Sequence, residues 1–186
     1  MKMFTALLMI VIASAAAFGQ KSAEAIKEQL RDLKADSAVT VTYDAASDAT
    51  KVMAIGPNAA DADAKAANIQ AMNFGMAFTF SGKVLAPSPE VINLTFWVMS
   101  KKPRFGGVAT KWIAAINGHS LDLGEARYAA KPNDNMEYLN FKIQRSDLGK
   151  LVTGKSVNYT LGTAKFTFTP DQMKVLNAMY AVSSTN

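Results

Sequence analysis

Met72-Asn73-Phe74-Gly75-Met76-Ala77-Phe78-Thr79-Phe80 is the stretch on which the reading of the fold turns. Met72, Phe74, Met76, Phe78 and Phe80 recur at every second position, so an extended chain presents all of them to one side. A helix would scatter them around its circumference. Asn73, Gly75, Ala77, Thr79 and Ser81 are small or polar and suit a thinner or wetter opposite face. The stretch therefore reads as a central strand of an antiparallel sheet, its large residues facing a second layer.

Downstream, Gly82 ends this strand, and Pro87 and Pro89 keep the next segment out of a ladder. Val91 to Ser100 reads as a strand with Ile92, Leu94, Phe96 and Val98 on one face. Trp97 and Met99 load the other, which predicts cover on both sides. Lys101 to Ala109 is a loop marked by Pro103 and Gly106-Gly107. Lys111 to Ile116, Asn117-Gly118 and His119 to Leu123 form the clearest local pattern. Asn-Gly between two β-prone runs favours a type I′ hairpin, because both turn positions need positive φ.

Residues 125–135 read as a polar loop, followed by a strand carrying Leu139, Phe141 and Ile143. Ser146 is expected to cap a short helix ending near Gly154. Val157, Tyr159 and Leu161 make a further strand, with Phe166 and Phe168 on its partner after Gly162. Thr169-Pro170-Asp171-Gln172 reads as a capping box with proline in the first helical position. Met173, Leu176 and Tyr180 are expected to line one face of the final helix.

Upstream, Ser22 to Asp36 reads as an amphipathic helix with Ser22 as its cap and a stripe of Ala23, Ile26, Leu30 and Leu33. Val39, Val41 and Tyr43 alternate with threonines as a strand, and Thr50 to Ile55 returns after a turn. Ala59 to Gln70 is alanine-rich and suits either a helix or a loop. The expected architecture is mainly β: a single antiparallel β-sandwich of about nine short strands over residues 37–183. An N-terminal helix over residues 20–36 precedes it and a C-terminal helix closes it.

The N-terminus has a different character. Lys2, the apolar run Met3 to Ala17 and the small residues before Gln20 follow the order of a secretory signal peptide. Cleavage is expected after Ala17 or Gly19. The run is shorter than the roughly 20 residues a spanning helix needs, and no other stretch is long enough. The chain of 186 residues contains no cysteine, so neither a disulfide nor a lipid-bearing cysteine is available. About 165 residues remain after cleavage, enough for a core that buries about 70% of the unfolded-state surface. The expected location is periplasmic or secreted.

The formal net charge is +5, unevenly spread. Residues 21–90 carry seven Lys/Arg and nine Asp/Glu, a net of −2, whereas residues 91–186 carry twelve and six, a net of +6. A basic half suits an anionic surface, a polyanion or a cell-wall polymer. A plainly solvated surface is the simpler explanation, and no nucleic-acid partner is expected.

The C-terminal part has a recognisable order. The Trp112 strand, the Asn-Gly turn, Leu121-Asp122-Leu123-Gly124 and the Phe141 strand come first. The Leu148 helix, Leu161-Gly162, Phe166-Thr167-Phe168 and the Pro170 helix follow. This order resembles a loose group of exported bacterial proteins of unknown function, over roughly the last 75 residues. The resemblance implies a β-sandwich and brings neither an activity nor site residues.

Motifs that carry chemistry are few. Gly149-Lys150-Leu151-Val152-Thr153-Gly154-Lys155-Ser156 matches a phosphate-binding loop letter for letter, but such a loop needs a strand before it and a helix after it. The expected order here is the reverse. His119 is the only histidine. On a strand, it and Ser120 point to opposite faces, which argues against a triad with Asp122. Asp122 and Glu125 suggest a glycosidase pair without fixing its separation. Asp61 with Asp63, Asp44 with Asp48, and Asn133-Asp134-Asn135 are more simply turns or helix starts than metal ligands, so no metal and no cofactor is expected.

The remaining candidate is the basic loop, with Lys101, Lys102, Arg104, Phe105 and Lys111 as contacts for an anion. Its plain alternative is a solvated loop with Phe105 tucked inward. Three functions stay open: a non-catalytic binding or structural module at the cell envelope, a hydrolase of envelope polymers using His119 with a nearby carboxylate, and a subunit of a surface assembly pairing through an edge strand. Ligand, partner and oligomeric state are not encoded in any motif.

Overall fold

The opening stretch forms β4 (Ala71–Ser81), and burial alternates along it as its spacing requires. Met72, Phe74, Met76 and Phe78 are buried, while Phe80 is half-exposed at the strand's far end. This strand belongs to a computed structural model that describes residues 20–130 and 135–184. The expected signal segment 1–19 and the Asn133-Asp134 pair lie outside them.

On one side β4 pairs with β3 (Ala49–Ile55), which pairs in turn with β2 (Val39–Asp44). On the other side come β6 (Val91–Met99), β10 (Met136–Gln144) and β9 (Arg127–Ala130). All these pairings are antiparallel. The order in this six-stranded sheet is β2-β3-β4-β6-β10-β9. Its register aligns the large residues in rows. Val52 lies opposite Phe78, Phe74 opposite Phe96, and Phe96 opposite Leu139.

A second antiparallel sheet has the order β12-β11-β7-β8, from β7 (Lys111–Ile116), β8 (His119–Glu125), β11 (Val157–Leu161) and β12 (Ala164–Thr167). Aromatic rings join the two sheets. Phe96 meets Trp112 edge-on at 5.2 Å between ring centroids and stacks on Tyr159 at 5.8 Å. Trp112 also reaches Phe141 across the gap, and Phe168 stacks on Tyr159 at 4.2 Å. Ring pairs of this geometry stabilise by about 0.5–1.5 kcal/mol each beyond the area they bury.

Helices cover what the second sheet does not. The N-terminal helix is α1 (Ala23–Asp32), capped by Ser22, whose hydroxyl accepts from the Ala25 N–H. It buries Ala23, Ile26 and Leu30 against β2 and the last helix, while Leu33 is left exposed. The last helix is α4 (Pro170–Val182), and both halves of the Thr169–Gln172 capping box are made. Its buried face differs from the expected one. Val175, Leu176, Ala178, Met179 and Val182 are buried, whereas Met173 and Tyr180 are only half-buried. Apolar residues nearly encircle this helix, so spacing alone could not choose the face.

One open alternative is resolved and three further expectations are corrected. Within Ala59–Gln70 only α2 (Asp61–Ala66) is helical, and the rest is loop. Residues 125–135 are not all loop, because Arg127–Ala130 pairs with β10. The short helix α3 (Arg145–Val152) starts earlier than expected, with Gln144 rather than Ser146 at its cap position and no side-chain cap. Finally, the outer face of β6 is open. Met99 is 41% exposed, and Trp97 is half-buried against Gly75, where a Cβ would come within 3.0 Å of the indole.

Lys21–Ser22 and Val84–Leu85 form a small ladder, β1 with β5. The described residues thus hold twelve strands rather than about nine. Over the described residues the chain is mainly β, with several antiparallel sheets and four helices.

Candidate functional site

The basic loop is held from beneath by one carboxylate. Glu137 sits on the inward row of β10, opposite Val98, and is 2% exposed. Its carboxylate accepts the N–H of Arg104 at 2.7 Å, the N–H of Phe105 at 2.8 Å and the hydroxyl of Ser100 at 3.2 Å. The Tyr128 hydroxyl lies on the same group. Burial first, then the Glu137 charge and this hydrogen bond, raise the Tyr128 phenol above its ordinary range. Backbone amides thus supply the compensation that a buried carboxylate requires. Gly106 completes the fit, since a Cβ there would lie 3.0 Å from the Tyr128 oxygen.

Phe105 is therefore inside, 3% exposed, and cannot stack on a ligand. The guanidinium of Arg104 is also committed. Its Nε donates to the Ala67 carbonyl at 3.2 Å and its Nη2 to the Thr163 hydroxyl at 3.4 Å. Lys101, Lys102 and Arg104 share a groove of about 430 Å³ with Asn68, Ile69 and Gln70, but Lys111 does not line it. The predicted set is thus divided. Two exposed lysines remain at the groove, the arginine ties two loops together, and the phenylalanine belongs to the core.

The histidine region shows the strand geometry its spacing implies. Asn117 and Gly118 take positive φ values of 50° and 85° in the turn. Ile116 then lies opposite His119, Ala115 opposite Ser120 and Ile113 opposite Asp122. His119 and Ser120 alternate to opposite faces, and both are exposed. Asp122 accepts the Gly124 N–H at 2.8 Å, a local turn contact. Glu125 borders a groove of about 690 Å³ with Arg127, Asn140 and Lys142, which Asp122 does not line. Of these residues only Glu125 lines that groove.

The phosphate-loop match is dispersed in the same way. Gly149 to Val152 lie within α3, and β11 follows Lys155. Gly149 is instead where α3 approaches α4, since a Cβ there would lie 3.0 Å from the Tyr180 ring. Tyr180 also receives the Arg145 guanidinium at 5.2 Å from its centroid.

A different site appears where three distant segments meet. The turn after α1, the end of β3 and the first turns of α4 enclose an open cleft of about 620 Å³. Ala38, Met53, Ile55, Pro57 and Val175 line it, and Lys34, Lys174 and Asp171 are charged lining residues. Lys34 takes φ 52° at the end of α1, where the Ala35 N–H returns to the Leu30 carbonyl at 2.9 Å. Pro57 is anchored by the buried Gln172, whose side-chain N–H donates to its carbonyl at 3.0 Å. Capping residue and cleft wall are thus one construction.

Among the described residues the only ion pair is Lys150 with Asp147. The side chains of Lys34, Asp171 and Lys174 make no hydrogen bond or ion pair there, and all three are exposed. Ser37 and Thr40 add two hydroxyls to a lining that otherwise combines apolar surface with these free charges. None of these residues stood out in the sequence, because they come from positions 34–40, 53–57 and 171–175 and share no local motif.

No helix among the described residues is long and apolar enough to cross a membrane. Comparison of the chain with family models, with curated proteins and with solved structures returns no match.

Proposed function

We propose that this protein is an exported, non-catalytic binding module of the cell envelope that holds its ligand in the α1–β3–α4 cleft. The observation that carries the reading is the cleft itself. It is concave, apolar at its floor, and edged by charged groups without partners, which is the composition of ligand sites in general. The two larger sheets are read as the layers of a β-sandwich, and the likeness of the C-terminal part to exported bacterial proteins fits this reading. Export rests on the Lys2–Gly19 pattern.

Two measurements on protein recovered from its own cells test the proposal. Intact mass should correspond to a chain beginning at Phe18 or Gln20, and retention of Lys2 in exported material would end the export reading. Native mass spectrometry should show a small molecule that dissociates chemically unchanged on denaturation. Release of a cleaved product instead would favour the hydrolase.

One observation favours a second reading. Among the described residues β2 and β9 end the six-stranded sheet with no strand on their outer sides, and an open edge is a template for pairing with another chain. On that reading the protein is a subunit of a surface assembly.

A further inference from the structure

We infer that the α1–β3–α4 cleft takes a small amphipathic carboxylate, an aliphatic body bearing one anionic head. The inference rests on the binding reading above and adds the class of ligand. The apolar part of the lining selects the body, because Met53, Ile55, Pro57 and Val175 offer apolar surface, with only the hydroxyls of Ser37 and Thr40 as uncharged polar side chains beside it. Ile55 is 52% exposed, a large aliphatic side chain that the fold leaves uncovered at the end of β3. Covering it removes apolar area from water at about 25 cal/mol per Å².

The cations select the head. Lys34 and Lys174 reach the cleft from different elements, and neither has a carboxylate partner among the described residues. Asp171 is the only acidic residue of the lining. It lies in the first turn of α4, where a carboxylate complements the helix dipole without needing a cation. The lining thus carries a net charge of +1, from two lysines less one aspartate. That charge and the apolar floor together match an anion with a hydrocarbon tail. A zwitterion would need Asp171 as a direct contact, which gives the two ligand types opposite responses to its removal.

The test uses octanoate, with octan-1-ol as its neutral counterpart, titrated into the ¹⁵N-labelled mature chain at neutral pH. Octanoate should shift amides of residues 34–40, 53–57 and 171–175, and octan-1-ol should bind the same place several-fold more weakly. Lys34→Asn, which tolerates the positive φ, and Lys174→Met should each weaken octanoate about two- to fivefold, the range of an exposed ion pair. Asp171→Asn should tighten it. Equal binding of acid and alcohol at the cleft overturns the carboxylate while leaving the binding reading intact. Weaker octanoate binding in Asp171→Asn also overturns it. Failure of both probes to shift the cleft amides overturns the inference and the binding reading together. Each substituted residue is exposed, so the folded state of the variants is checked by their unshifted remote amides.

Discussion

Tyr159 shows how single atoms are left in this core. Its ring is packed between Phe96, Phe166 and Phe168, yet its hydroxyl is buried with no hydrogen-bond partner, as is the indole N–H of Trp112. Burial, with the Asp63 charge adding to it, pushes the phenol well above its ordinary value of 10.0. The sign of the pH dependence follows. Below about pH 10 the phenol is neutral folded or unfolded, and contributes no slope. Above it the unfolded chain releases a proton that the folded chain retains, so stability falls as pH rises. Tyr159→Phe should keep the stack, remove a hydroxyl whose unpaired burial costs about 1–3 kcal/mol, and reduce the alkaline loss. Urea denaturation at neutral pH and above pH 10 checks both. Glu137 is the opposite case, a buried group whose acceptors are used. Glu137→Ala strands the Arg104 and Phe105 amides at roughly 1–3 kcal/mol each. The expected result is faster hydrogen exchange at those two amides and a loss of about 2–6 kcal/mol. Unchanged exchange there would mean that the loop is held by something else.

At the scale of elements, legibility followed periodicity. β4 and β6 announce their faces in every second residue, and the Asn-Gly hairpin and the Thr169 capping box are local patterns that appear as read. β9 was not legible, because Arg127-Tyr128-Ala129-Ala130 has no strong alternation and becomes a strand only by pairing with β10. The face of α4 was hidden for the reverse reason, since apolar residues occur nearly all round it. The start of α3 was misplaced because Ser146 looks like a cap, yet the helix begins without any side-chain cap. At the basic loop the sequence leaves Phe105 open, as a contact or tucked inward; it is tucked inward, and the residue that decides, Glu137, stands 32 positions away. The face assignment of β4 has a direct check. Phe78 is 3% exposed and Thr79 is exposed. Phe78→Ala should therefore cost about 3–5 kcal/mol, and Thr79→Ala no more than about 1 kcal/mol. If the threonine change proves the more damaging, the face assignment is wrong.

For the molecule as a whole, the stabilising ring cluster and the proposed binding cleft occupy different places. The ring cluster of Phe74, Phe96, Trp112, Phe141, Tyr159 and Phe168 joins the two larger sheets, and without cysteine the core holds the fold unaided. The cleft lies beyond that cluster, where the helices take over from the second sheet. It can therefore tolerate changes of charge at Lys34 or Lys174 that the ring cluster would not tolerate in its own residues. The central claim is that this cleft, and not the His119 region, receives the ligand. An amide shift map of the labelled chain, titrated with the low-molecular-weight fraction of an extract of its own cells, tests that claim most directly. The account predicts shifts confined to residues 34–40, 53–57 and 171–175. Shifts centred on residues 119–125, with the cleft amides unmoved, would contradict it.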